Sequence, residues 1–99
     1  MKKENCNNQM CLDDLRKNID EIDEKMRRLF IERLNVVKNI AIEKMKKNLP
    51  IENLQREKQI LEEHLNLVDE EYKDEYLKFL KSILSISKDY QNELFKISK

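Results

Sequence analysis

Apolar residues recur along the first half of the chain at steps of three and four positions. This spacing predicts an amphipathic helix, because residues three and four apart share one face of an α-helix. No glycine or proline interrupts the pattern between Leu12 and Lys47, so the helix would be about 54 Å long. Asn48, Leu49 and Pro50 predict its end, because the residue before a proline avoids the helical region. The stripe contains Leu12, Leu15, Ile19, Ile22, Met26, Leu29, Val36 and Ile40.

Two shorter apolar patterns follow the proline. The first predicts a helix that begins at residue 52 or 53 and ends near residue 66. The second predicts a helix over 74–96, after a polar connection at about 68–73. The chain is therefore predicted to be all-α, with one long, one short and one medium helix in a single domain over 12–97, preceded by a flexible tail over 1–11. The stripe of the last helix contains Leu77, Leu80, Leu84, Ser87, Gln91 and Leu94.

The three predicted helices differ too much in length to cover one another within one chain. The shorter two would be about 20 and 35 Å long. Part of the long apolar stripe would then stay in water, at about 25 cal/mol for each Å². A second copy could cover it with its own long helix. The pattern therefore predicts an intertwined helical homodimer with two-fold symmetry.

Composition and charge exclude several classes of function. A chain without glycine has no glycine-rich phosphate loop and no dinucleotide-binding turn. Its 20 basic and 20 acidic residues cancel, so no field favours binding to nucleic acid or to an anionic membrane. No apolar run approaches the roughly 20 residues of a membrane span. The polar first ten residues do not resemble a signal peptide, so a cytoplasmic location is expected.

The residues that bind metals are sparse. Cys6 and Cys11 do not complete a tetrahedral site, and a secreted disulfide-stabilised domain usually carries more cysteines. His64 is the single histidine and has no partner at metal-ligand spacing. We interpret both cysteines as incidental and expect neither a metal nor another cofactor.

Polar residues interrupt the predicted apolar stripes. Arg33 lies on the stripe of the first helix, and Ser87 and Gln91 lie on the stripe of the last. Burial without partners would cost about 1–3 kcal/mol for a neutral group and more for a charge. Each residue alone is compatible with a rim arginine or with a polar residue that fixes helix register. Their combination favours an internal polar site.

The placement of a few cations suggests what this site binds. Only five of the 20 basic residues are arginine, and Arg16, Arg33 and Arg56 fall on or beside apolar faces. The planar arginine fork binds a carboxylate with two hydrogen bonds. Lys44 lies about 20° from the face of Arg33 and about 16 Å further along the helix, although a solvated lysine is an open alternative. Arg16 lies about 25 Å from Arg33 and could reach the same ligand only from a second subunit. Glu57 either interacts with a helix dipole or accepts a ligand hydroxyl.

The joint spacing of these residues resembles the all-helical class of chorismate mutase. The resemblance covers about 12–95. It implies a homodimer that converts chorismate to prephenate, in the biosynthesis of phenylalanine and tyrosine, without a cofactor. The matching segments are Leu15-Arg16, Ile19-Asp20-Glu21-Ile22-Asp23, Glu32-Arg33, Lys44, Pro50-Ile51, Arg56-Glu57, and Ser87 with Gln91.

The resemblance also implies catalytic roles. Arg33, together with Arg16 of the other subunit, would bind one substrate carboxylate. Arg56 would help to bind and orient the substrate. Lys44 and Gln91 would donate hydrogen bonds to the ether oxygen of the C–O bond that breaks.

Three further positions would bind substrate. Glu57 would accept the ring hydroxyl, and Ser87 would lie near a carboxylate. Asn53 stands where the family often has aspartate. Asparagine is tolerated if this position contributes mainly through its backbone N–H. It would lower substrate affinity if the charge of the usual aspartate orients an arginine.

Two non-catalytic functions remain alternatives. A helical dimerisation module that binds another helix would tolerate Arg33→Ala without loss of stability. A regulatory module of the same fold would bind an aromatic metabolite without turning it over.

Overall fold

The computed structural model describes residues 11–98, with side chains through residue 97. The described residues contain three α-helices and no strand, which confirms the predicted all-α class. The predicted tail over 1–11 lies, except for Cys11, outside the described residues. The helices are α1 (Leu12–Lys47), α2 (Leu54–Asn66) and α3 (Lys73–Ser98), and a 3-10 turn at Glu70–Tyr72 precedes α3.

Helix α1 ends in a capping motif that replaces the usual glycine with asparagine. Asn48 has a φ of 60°, and its N–H donates to the carbonyl of Met45 at 3.3 Å. The N–H of Leu49 donates to the carbonyl of Lys44 at 2.8 Å. This pair of bonds is typical of the Schellman motif, whose left-handed residue is glycine or, less often, asparagine. The motif anchors the last turn of α1, which carries Lys44.

The contacts divide the chain into two units, residues 1–33 and 34–99. The described part of the first unit is a single stretch of α1. Six large apolar residues along it are between 46% and 63% exposed, because one helix cannot bury its own side chains. We call this set the α1 stripe. It contains Leu12, Leu15, Ile19, Ile22, Met26 and Leu29.

The second unit contains the buried core. Val37 and Ala41 of α1 and Leu80 of α3 are its buried apolar residues, and α2 packs against α3. Val36 and Ile40, which the sequence placed on the predicted stripe, stay exposed. The second half of α1 therefore buries the adjacent face.

Two further features of the described residues concern the cysteines and possible membrane spans. Cys11 is disulfide-bonded, which corrects its interpretation as an incidental thiol, whereas Cys6 lies outside the described residues. Within residues 11–98, no helix combines the length and the apolar character that crossing a bilayer requires.

Candidate active site

A polar cluster connects the end of α1 to α3 within the second unit. The Nζ of Lys44 donates to Oε1 of Gln91 at 3.0 Å and to the carbonyl of Ile51 at 2.6 Å. Burial lowers the pKa of the Lys44 ammonium, and the nearby Glu57 carboxylate opposes this shift. Both hydrogen-bond acceptors are neutral, so they orient the cation without neutralising it. Such a cation favours binding of an anion.

The α3 side of the cluster is buried and hydrogen-bonded. Gln91 and Ser87 are 8% and 7% exposed, consistent with their place on the predicted apolar stripe. Nε2 of Gln91 donates to the carbonyl of Ser87 at 3.3 Å, and Oγ of Ser87 donates to the carbonyl of Ile83 at 2.9 Å. An amide nitrogen carries two hydrogens. Gln91 therefore has donor capacity beyond this bond to its own helix.

The start of α2 is fixed by Asn53. Its Oδ1 accepts the N–H of Arg56 at 3.0 Å, and its carbonyl accepts the N–H of Glu57 at 3.0 Å. Its φ of −137° and ψ of 90° are typical of an N-cap residue. The sequence interpretation weighed only a backbone or charge role at this position. As caps, asparagine and aspartate are nearly equivalent, so the substitution preserves the local geometry.

Removal of this cap should cost stability. We expect Asn53→Ala to lower the free energy of unfolding by about 1 kcal/mol, because the N–H of Arg56 loses its acceptor, whereas Asn53→Asp keeps it. Urea unfolding followed by circular dichroism measures both effects. Asn92→Ala, at an exposed position inside α3, is the matched control and removes no cap. An Asn53→Ala protein as stable as the wild type would contradict this assignment.

The two charged residues that follow the cap have different surroundings. Glu57 is half-buried, and its Oε2 lies 3.1 Å from Nζ of Lys88. Arg56 is exposed, and its Nη1 donates to Oε1 of Gln59 on the same helix at 2.9 Å. The structure thus brings Lys44, Glu57, Ser87 and Gln91 together, and it leaves the side chain of Arg56 at the surface.

The sequence interpretation missed Lys88. Its Nζ lies 3.1 Å from Oε2 of Glu52 and 3.1 Å from Oε2 of Glu57. Hydrogen bonds to Glu57 and Glu52 raise the pKa of the Lys88 ammonium. The sequence feature that could have pointed to Lys88 is its position next to Ser87, which lies on the predicted apolar stripe of the last helix.

The other two predicted arginines belong to the first unit. Arg16 is exposed, and Arg33 is half-buried on α1. Their roles toward a substrate stay a prediction.

These features define an all-α protein with a partly buried ammonium and a buried amide held together, which suits a small anionic ligand. The family model for chorismate mutase type II matches residues 15–92. The chain belongs to this family, which confirms the resemblance found in the sequence.

A curated relative agrees with the family match. The chain is 48% identical over 61 residues to a bifunctional chorismate mutase/prephenate dehydratase of Aquifex aeolicus (strain VF5). The aligned part is 62% of this chain and 17% of the relative, so the chain spans less than a fifth of the relative's length. No solved structure matches.

Proposed function

We propose that this chain is a chorismate mutase, an isomerase that converts chorismate to prephenate by a concerted Claisen rearrangement. Family membership supports the reaction. The observation that carries the assignment to a site is the contact between Lys44 and Gln91 at 3.0 Å. It brings a cation and an amide to one point, which suits an oxygen that gains negative charge as its bond breaks.

The reaction needs no nucleophile and no net proton transfer. The ether C–O bond breaks while a new C–C bond forms, so catalysis consists of holding the substrate in its compact conformer and stabilising the charge that develops. An ammonium has three hydrogens. Two of those on Lys44 go to Ile51 and Gln91, so the third is available for the ether oxygen. Gln91 supplies the second donor through its amide N–H.

The remaining predicted residues bind the rest of the substrate in this proposal. Arg33 and the Arg16 of a second subunit hold one carboxylate. Arg56, which is exposed and bonded to Gln59, turns toward the substrate when it binds. Ser87 lies near a carboxylate.

The start of α2 completes the proposed contacts. Glu57 accepts the ring hydroxyl. Asn53 contributes by fixing the first turn of α2 and hence the backbone of Arg56 and Glu57.

A second copy of the chain completes the proposed site. The α1 stripe supports this, because six large apolar side chains remain about half exposed on one helix. Burying that surface against the same stripe of a second copy gains about 25 cal/mol for each Å². A two-fold pair of helices also carries each Arg16 to the partner subunit. We therefore propose an intertwined homodimer with two equivalent sites.

The neutral amide of Gln91 should make activity insensitive to pH near neutrality. We expect Gln91→Glu to regain kcat/KM as the pH falls from about 8 to 5, because a glutamate must be protonated before it can donate. The wild type should stay nearly constant over this range. The measurement is a pH series of initial rates, with Gln55→Glu at an exposed position of α2 as the control. A wild type that loses turnover sharply between about pH 6 and 8 would count against the role of Gln91.

The loss of chorismate's ultraviolet absorbance tests the proposed activity. The purified wild type should consume chorismate and form prephenate, and Arg33→Ala should be strongly impaired. A well-folded wild-type dimer without turnover would overturn the proposal. Binding of a metabolite without turnover would then indicate the regulatory module, and neutral or stabilising behaviour of Arg33→Ala would indicate the dimerisation module.

A further inference from the structure

Lys88 connects three parts of the second unit. It lies on α3, and its Nζ is 3.1 Å from a carboxylate oxygen of Glu52, in the segment before α2, and 3.1 Å from one of Glu57, inside α2. The side chains of Lys88 and Glu57 are 30% and 27% exposed. This pair is therefore better shielded from water than the ion pairs between neighbours on α1 or α3, such as Lys96 with Glu93 at 75% and 67%.

The pairing matters because Glu57 also interacts electrostatically with Lys44. The hydrogen bonds of Lys44 go to the neutral oxygens of Gln91 and Ile51. If the carboxylate paired directly with Lys44, it would neutralise the positive charge that the proposed reaction needs at the ether oxygen. Lys88 instead contacts Oε2 of Glu57. A carboxylate has about four acceptor positions, so this contact leaves capacity for a ligand hydroxyl.

We infer that Lys88 is a positioning residue, which holds the Glu57 carboxylate on the α3 side, keeps it from pairing with Lys44 and orients it toward the substrate hydroxyl. The inference rests on the proposed function and deepens it. Lys88 itself acts through Glu57 and not on the reacting atoms.

The alternative is that Lys88 has only a structural role. It would then anchor the segment before α2 through its ion pair with Glu52 and would not position Glu57. In that case, its removal would lower stability and leave the turnover of the folded protein unchanged. Its effect would also be independent of the residue at position 57.

The experiment is a double-mutant cycle. Lys88→Met, Lys88→Arg and the control Lys96→Met are made in the wild-type and Glu57→Gln backgrounds, and kcat and KM for chorismate are measured. We expect Lys88→Met to lower kcat/KM about tenfold in the wild-type background and less than about twofold with Glu57→Gln, because neighbours that act together are not additive. Lys88→Arg should recover most of the activity, since it keeps the cation.

Each outcome of this cycle decides a separate question. If the wild type is active and Lys88→Met leaves kcat/KM unchanged, or lowers it equally in both backgrounds, the inference is overturned and the proposed function stays intact. An inactive wild type overturns the proposed function and the positioning role that depends on it.

Nitrogen NMR of labelled lysine tests the ion pair without any turnover. The pKa of Lys88 should fall toward that of an ordinary lysine in Glu57→Gln, and an unchanged pKa would overturn the pairing itself.

Discussion

Replacement of Lys44 by alanine should reduce kcat for chorismate by about 10²–10³-fold, with a smaller change in KM. Removal of one preorganised donor to a developing negative charge typically has this effect. Gln91 and the carbonyl of Ile51 hold the ammonium of Lys44 in place, so little rearrangement is needed when the ether oxygen binds. Steady-state rates from chorismate absorbance measure the change.

The matched control is Lys47→Ala, three residues further along α1. Its side chain is 63% exposed and its ammonium pairs with Glu43 on the same helix, so we expect no change in turnover. The wild-type pH profile provides a second check. Because burial lowers the pKa of Lys44, kcat/KM should fall on the alkaline side at a lower pH than an ordinary lysine would give. Retention of full kcat by Lys44→Ala would remove Lys44 from the mechanism.

A mixture of two inactive variants should recover activity if Arg16 acts across the dimer. Arg16→Ala and Lys44→Ala homodimers each have two defective sites. A heterodimer has one intact site, with Lys44 from one chain and Arg16 from its partner. Random exchange should therefore restore about one quarter of the wild-type activity, because half of the dimers carry one working site of two.

The mixing experiment is performed by unfolding and refolding the two variants together, with initial rates compared before and after. Arg33→Ala mixed with Lys44→Ala is the control, because both residues are proposed to serve the site from the same chain. A heterodimer of these two variants has an intact site only if Arg33 and Lys44 of one site come from different chains. We therefore expect this mixture to recover no activity. No recovery with Arg16→Ala, in protein shown to be dimeric, would contradict the proposed contribution across the interface.

The helix boundaries were readable from the sequence because few local choices compete in this chain. Apolar residues at steps of three and four, with no glycine or proline between them, predict a helix from Leu12 to Lys47, and Pro50 prevents its continuation. The chain contains no glycine, so no glycine-containing turn competes with the helix within these segments. The polar residues Ser87 and Gln91 were also identifiable, since they occupy apolar positions of a regular pattern.

Other features depend on details that periodicity does not encode. The left-handed conformation of Asn48 and the cap made by Asn53 depend on which side-chain or backbone oxygen reaches which N–H. A pattern of apolar positions carries no such information. Lys88 was overlooked for a related reason. Its partners are 36 and 31 positions away along the chain, and only the packing of α2 against α3 brings them together.

The arginines show a different limit. Arg56 is predicted to bind substrate, yet its side chain is exposed and hydrogen-bonded to Gln59. A long charged side chain has several surface rotamers of similar energy, and the ligand selects among them. The predicted role of Arg16 requires a second subunit, and the spacing of residues along one helix does not specify how two subunits would pack.

In the proposed site, a few cations of two chains converge on a small dianion in its compact reacting conformer. Calorimetric titration of a stable bicyclic dicarboxylic acid that mimics this conformer and retains the ether oxygen would measure this convergence. We expect one molecule bound for each chain, at least about a hundredfold more tightly than chorismate, with strong weakening by Arg33→Ala. An absence of binding by the folded dimer, or equal binding by wild type and Arg33→Ala, would show that these cations do not form such a site.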